Sequence, residues 1–196
     1  MAKSDPASLK KERNKNIRWV VTIFLVTIVI SGTISLLSDL LMEGSSMAVA
    51  FLILLVIILV GIVFDIIGMA VATADEKPFH SMAARKVPGA LEAIRLLRNA
   101  ERVSSICNDV VGDICGVVSG SASATIAAQI LRNFEFTWPQ VISLLMSALA
   151  AGLTVGGKAI GKSFAVNSCT AIVHTVGRLV HTMHCFFGGN RKKKKK

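Results

Sequence analysis

Long apolar runs separated by short polar connections dominate the pattern along this chain. A run of about 20 mostly apolar residues is long enough for an α-helix to cross a bilayer. On this criterion the sequence predicts four spanning helices, at about residues 17–42, 47–74, 104–131 and 138–163. The first run is longer than the core of a secretory signal and contains no small-residue cleavage site, so we interpret it as a retained anchor.

Two further segments have the pattern of amphipathic helices. In residues 88–103, Leu91, Ile94 and Leu97 recur at helical spacing while charged residues take the other faces. In residues 170–187 the apolar and polar side chains separate more cleanly onto two sides of the helix. Their apolar side holds Ile172, Val173, Val176, Leu179, Val180, Met183, Phe186 and Phe187, and their polar side holds His174, Arg178, His181, His184 and Cys185. Such helices lie along the membrane surface or pack flat against the spans.

Composition supports this fold class. With 53% hydrophobic and 17% charged residues, the chain is too apolar for an ordinary soluble domain. We therefore expect an all-α, polytopic membrane protein with one membrane domain over residues 17–187. Basic tails flank that domain at residues 1–16 and 188–196.

The placement of charge predicts the topology. Residues 1–18 and 75–103 carry six Lys or Arg each, and the chain ends in a lysine run, whereas the connections 43–46 and 133–137 carry none. Because basic residues favour the cytoplasmic side, we expect both termini there, in the cytoplasmic membrane. The tails would contact anionic lipid headgroups. Nucleic-acid binding is disfavoured, since no aromatic-interleaved basic motif accompanies the lysines.

Ionisable residues within the spans are the candidate functional residues, because burying charge in lipid is costly. Asp65 lies in the second predicted span, Asp109 and Asp113 in the third, and Lys158 in the fourth. Asp65 and Asp113 fall at similar depths, and Lys158 could reach them. Asp109 and Asp113 are four residues apart and so share a helical face, which Asn108 adjoins.

Two interpretations of this group stay open on residue types alone. Oxygen donors that converge inside a bundle suit an ion such as Mg²⁺. On that hypothesis Asn108, Asp113, Asp65 and Asp109 contact the metal. The alternative is an Asp–Lys pair that neutralises itself and fixes how the helices align.

Small residues at four-residue spacing mark the third and fourth spans. The third contains Gly112, Gly116 and Gly120, and the fourth contains Ala148, Gly152 and Gly156. Such stripes let helix backbones approach closely. We expect these two spans to form the packed centre and a homodimer contact, while the first two spans face lipid more.

The cysteines and histidines give weaker signals. Cys107, Cys115, Cys169 and Cys185 lack metal-site spacing, so free structural thiols are expected. The three histidines of the last segment and Cys185 could bind a soft metal, although a solvated polar face explains them more simply. No acid accompanies them in the sequence, and no catalytic motif is present, so an enzyme is not expected.

Three stretches in order resemble the membrane domain of the CNNM/CorB/CorC magnesium and cobalt transporters. They are Phe64–Ala70 before a basic segment, Ala100–Asn108 at the start of the third span, and Gly157–Ala165 before an amphipathic helix. The resemblance covers about residues 50–187. It implies transport of Mg²⁺ or Co²⁺ by a homodimer, with no firmly implied cofactor.

The departures from that family suggest an alternative. The family's carboxylates fall on Gly68 and Lys158, Gly161 replaces a proline, and no cytosolic regulatory module follows. Asn108 is the position that matches by residue type. The Lys158 ammonium could stand where a cation would otherwise sit, which implies a non-transporting structural or regulatory relative with another membrane partner.

Overall fold

The computed structural model describes residues 6–42, 44–133 and 138–188, and within these residues every regular element is a helix. The α-helices are α1 (Pro6–Met42), α2 (Met47–Thr73), α3 (Lys77–Ala84), α4 (Ala90–Arg98), α5 (Ala100–Ser105), α6 (Asp113–Asn133), α7 (Pro139–Asn167) and α8 (Cys169–Gly188). A π-helical segment, Ile106–Gly112, joins α5 to α6 without a break. The predicted all-α fold is confirmed. The ends of the two basic tails, residues 1–5 and 189–196, lie outside the described residues.

Four helical stretches are long and apolar enough to cross a membrane, as the sequence predicts. They are Ile17–Met42, Met47–Thr73, Ala100–Asn133 and Pro139–Asn167. The third is longer than expected, because α5 begins at Ala100 and α6 ends at Asn133. The fourth begins with Pro139 at its first turn, where a missing N–H leaves no helical hydrogen bond unmade.

The second span forms the centre of the bundle, which corrects the expectation that the third and fourth spans do so. α2 packs against both α6 and α7 along most of its length. Its buried face carries Leu54, Ile58, Gly61, Asp65 and Gly68, which repeat at three- and four-residue spacing. Gly61 lets α2 approach α6 closely, since an added Cβ would lie 2.8 Å from Cys115 Cβ. The expectation that the first span faces lipid agrees with the exposed apolar side chains along α1.

The small-residue stripes are placed differently from the prediction. Among the described residues, and apart from the local helix backbone, no atom lies within 4 Å of a Cβ built on Gly116, Gly120, Gly152 or Gly156. α6 and α7 do pack together, but these glycines do not form their contact within one chain. Glycines of α7 approach α2 closely, where a Cβ on Gly161 would lie 2.8 Å from Ile66 Cγ1.

Two contacts fix which ends of the spans lie together. Near the start of the first span, the Trp19 ring lies 5.3 Å from Arg102 Cζ at the start of the third span. At the opposite end, Gln129 Nε2 donates a 3.1 Å hydrogen bond to Met42 O. The start of the first span therefore shares one end of the bundle with α3, α4, α5 and α8, and we call this the juxtamembrane end.

The helices of the juxtamembrane end differ in detail from the prediction. The expected helix over 88–103 is two helices, α4 and α5, and α3 was not predicted. Leu91 is exposed, whereas Ile94 and Leu97 are buried as expected. In the last segment, Val173 is buried in the shared core but Leu179 and Phe186 are exposed, so the predicted apolar side is only partly covered.

Glycines let α4 and α8 pack in close contact. Gly89, at the start of α4, has a φ of +85° and touches the backbone of Arg178. A Cβ on Gly177 would lie 2.5 Å from Gly89 O and 3.0 Å from Ala93 Cβ. This close approach holds the polar side of α8 against α4.

Candidate functional site

The candidate site is a polar contact between α2, α7 and the junction of the π-helical segment with α6. It lies between two hydrophobic clusters along α2, one around Leu54 and Ile58 and the other around Ala70 and Val71. α7 approaches α2 closely at Gly157 and Gly161. This contact places Lys158 beside the face of α2 that carries Asp65. Packing of the apolar residues on both sides thus positions the charged ones.

Lys158 is the centre of this contact. Its Nζ lies 4.0 Å from Asp65 Oδ1 and 3.7 Å from Asp113 Oδ1. It also donates a 3.1 Å hydrogen bond to Gly112 O. The expectation that Lys158 reaches Asp65 and Asp113 is confirmed. Sequence reasoning missed the Gly112 carbonyl, because a backbone acceptor leaves no mark on residue type.

The two carboxylates have different environments. Asp65 is 4% exposed, and its Oδ2 is buried with no hydrogen-bond partner in the part of the chain that the structure describes. The Asp113 side chain is 72% exposed and that of Lys158 18% exposed. Removing charge from water is costly unless it is paired, so Asp65 depends most on the Lys158 ammonium. With both aspartates ionised, the three side chains carry a net charge of −1.

Asn108 lies beside Gly68 and not beside the ammonium. An added side chain on Gly68 would overlap Asn108 Oδ1. Asn108 Nδ2 donates a 3.2 Å hydrogen bond to Ser104 Oγ, while its Oδ1 is buried and has no hydrogen-bond partner within the described ranges. The amide therefore takes the space that a larger residue at Gly68 would occupy.

The structure does not bring Asp109 into the site. Asp109 is exposed and accepts a 2.7 Å hydrogen bond from Ser105 Oγ. Asp109 lies within the π-helical segment and Asp113 directly after it. The hydrogen bond to Ser105 holds the Asp109 carboxylate, and Lys158 pairs with Asp65 and Asp113 instead. Short π-helical segments are frequent at functional sites.

The donor set is poor for a metal ion. Over the described ranges, no three side chains of His, Cys, Asp or Glu gather in a way that could hold one. This applies to the predicted group of Asp65, Asp109 and Asp113. It applies equally to the histidines of α8 with Cys185. Asp65 Oδ2 and Asn108 Oδ1, which are buried without hydrogen-bond partners among the described residues, are oxygens that a ligand at this site could still contact.

Comparison with known proteins adds no relative. No family model matches the chain, and neither does any curated protein or solved structure.

A second polar group lies on α8 and overturns the expectation that no acid accompanies the histidines. His181 Nδ1 lies 3.1 Å from Glu92 Oε1 on α4, and His181 Nε2 lies 3.7 Å from Cys185 Sγ. The hydrogen bond from His181 lowers the pKa of Glu92 below its usual value, so the carboxylate is ionised at neutral pH. His184 is exposed, and His174 Nε2 is buried without a partner among the described residues.

Proposed function

We propose that this chain is a non-transporting structural or regulatory membrane protein in which Lys158 supplies an internal cation. The observation that carries the proposal is the position of Lys158 Nζ, which is within 4.0 Å of Asp65 Oδ1, Asp113 Oδ1 and Gly112 O. An ammonium in that position meets the same oxygens that a divalent ion would need. In the terms of the CorB resemblance, the side chain of the protein replaces the transported ion.

Electrostatics supports this proposal over an open ion site. A divalent ion that entered beside Lys158 would meet a positive charge within a poorly solvated region, where like charges repel strongly. Asp65 is also already paired, and Asp109 points elsewhere. A fixed internal pair suits a protein whose helices must keep one alignment, for example one that partners another membrane protein.

Divalent-cation transport is the second candidate, and one observation favours it. Asp65 Oδ2 and Asn108 Oδ1 are both buried, and neither has a hydrogen-bond partner among the residues that the structure describes. Buried polar atoms without partners are rare and call for an explanation. If Lys158 swings away, these oxygens with Asp113 could contact Mg²⁺ or Co²⁺.

Binding of Mn²⁺ to the purified protein, measured by electron paramagnetic resonance in detergent, separates the two candidates. The proposal expects no specific Mn²⁺ binding to the wild type. It expects binding to appear in Lys158→Glu, because that change replaces the ammonium with a further oxygen ligand. Lys162→Glu is the matched control, since Lys162 is exposed one turn along α7.

Flux into liposomes completes the test. Uptake of Mg²⁺ or Co²⁺ by wild-type proteoliposomes, lost in Asp113→Asn and in Asn108→Ala, would establish the transport candidate and refute the proposal. No ion-dependent difference among the three proteins and empty liposomes is the result that the proposal expects.

The assembly belongs to the same proposal. We infer a homodimer through the exposed small-residue stripe of α7, supported by the open space beside Gly152 and Gly156. The protein would lie in the cytoplasmic membrane with both termini cytoplasmic and its basic tails on anionic headgroups. Disulfide cross-linking of Gly152→Cys in membranes tests the dimer. Absence of a cross-linked dimer, with Leu144→Cys as the exposed control, would remove it.

A further inference from the structure

Glu92, His181 and Cys185 form a connected chain of side chains at the juxtamembrane end, independent of the Lys158 site. Glu92 lies on α4, and the other two lie four residues apart on α8. The contact of Gly89 and Gly177 holds the two helices close enough for Glu92 to reach His181 at 3.1 Å. His181 in turn lies 3.7 Å from the Cys185 sulfur.

The hydrogen bond to Glu92 fixes which nitrogen of a neutral His181 carries the proton. An ionised carboxylate can only accept, so Nδ1 must donate to Glu92 Oε1. Nε2 then keeps its lone pair, and this is the nitrogen that faces Cys185 Sγ. Thiols and hydroxyls that act as nucleophiles are activated by a base in contact with them, which is in turn oriented by a third group. Cys185, His181 and Glu92 have this arrangement.

The surroundings of Cys185 suit a reagent that approaches along a membrane surface. Cys185 is exposed, in contrast to the buried Cys107 and Cys115. Its neighbour Phe186 is 86% exposed, and Met183 is also exposed on the apolar side of α8. Cysteines on amphipathic helices beside a membrane are typical acceptors of long-chain acyl groups.

We propose that Cys185 is a self-acylating thiol, which accepts an acyl group from a long-chain acyl thioester with His181 as base and Glu92 as the residue that positions it. The proton of Cys185 Sγ moves to His181 Nε2 as Sγ attacks the thioester carbonyl. The new Sγ–C(acyl) bond forms, the carbon–sulfur bond of the donor breaks, and the leaving thiolate takes the proton from His181. No net oxidation or reduction occurs.

The acyl chain would lie beside Phe186 and Met183 and hold α8 on the bilayer. Each CH₂ of the chain that leaves water favours such attachment. The modification would therefore strengthen the binding of α8 to the membrane. Because α8 packs against α4, it would also hold the other helices of the juxtamembrane end at the membrane.

Incubation of the purified full-length protein in nanodiscs with palmitoyl-coenzyme A tests this inference. We expect a hydroxylamine-sensitive palmitoyl adduct at Cys185, found by peptide mass spectrometry and absent from Cys185→Ser. His181→Gln should acylate at least about a hundredfold more slowly, the contribution of a general base. His184→Gln is the matched control, because His184 is the exposed histidine next to Cys185, and its rate should equal that of the wild type.

Glu92 needs its own readout because it acts through His181. Glu92→Gln keeps the shape but can donate to Nδ1, which would place the proton on Nε2 and slow acylation, whereas Glu92→Asp should restore part of the rate. Thermal unfolding of every variant checks that the fold is intact. The inference is overturned if wild-type Cys185 gains no adduct, or if it reacts at the same rate in His181→Gln or no faster than the half-buried Cys169.

Discussion

Replacing Lys158 by methionine removes the cation from the centre of the bundle while keeping a side chain of similar length. The change abolishes the contacts at 4.0 Å with Asp65 and 3.7 Å with Asp113, together with the hydrogen bond to Gly112 O. Asp65, 4% exposed, is left as a buried charge without a partner. Breaking a buried pair in this way costs about 3–5 kcal/mol.

The loss of stability in Lys158→Met should come from the contact with Asp65 much more than from the contact with Asp113. Asp113 is mostly exposed, and exposed ion pairs contribute up to about 1 kcal/mol, so Asp113→Asn should have a small effect. Adding Asp65→Asn to Lys158→Met should recover most of the lost stability, since no charge then remains buried. A coupling energy of about 2–3 kcal/mol between residues 65 and 158 is the expected result.

Unfolding by SDS in mixed micelles, followed by tryptophan fluorescence, measures these free energies. Lys162→Met is the control on the exposed side of α7 and should leave the unfolding midpoint unchanged. If Lys158→Met is as stable as the wild type, or if the double variant loses as much as the sum of the single ones, Lys158 and Asp65 do not form the pair on which the reasoning rests.

Three further predictions concern the glycine contacts and the juxtamembrane end. Gly89→Ala should destabilise the protein by about 1–3 kcal/mol, because of its positive φ and its contact with the Arg178 backbone, whereas Gly152→Ala should not; thermal unfolding of both compares them. Gly68→Ala should displace the Asn108 amide and cost about 1–3 kcal/mol, measured in the same way, and an unchanged midpoint would contradict the contact. The pKa of Glu92 is lowered by folding, so its contribution is present above about 4.5, the unfolded value, and is lost as the pH falls through the folded value. The protection of the α8 amides, relative to their intrinsic exchange rates at each pH, should therefore fall in acid in the wild type, and a Glu92→Gln protein that shows the same fall would refute the assignment.

The long apolar runs made the spans predictable, because a spanning helix can be recognised from its local composition alone. The starts at Ile17 and Met47 agree with the structure, as does the convergence of Asp65 and Lys158, which follows from matched depth in neighbouring helices. The central role of α2 was missed, since its Leu- and Ile-rich sequence looks suited to lipid. Gly61 and Gly68, spaced around Asp65, were the available signal for a buried face.

The remaining errors come from features that depend on the fold. Asp109 bonds with Ser105 and not with Lys158, and no residue pattern in the third span predicts the π-helical segment that carries it. Glu92 meets His181 across 89 positions of sequence, through helix packing at Gly89 and Gly177. Neither the register of α4 against α8 nor the exposure of Leu91 can be derived from a single helical pattern, because both depend on the partner.

Anomalous diffraction from crystals grown with Mn²⁺ tests most directly whether Lys158 serves as the internal cation. The account predicts no anomalous peak among α2, α6 and α7 in the wild type, continuous density for Lys158 towards Asp65, and a peak at that position in Lys158→Glu. A peak bound by Asp65, Asn108 and Asp113 in the wild type, with Lys158 turned away, would contradict it.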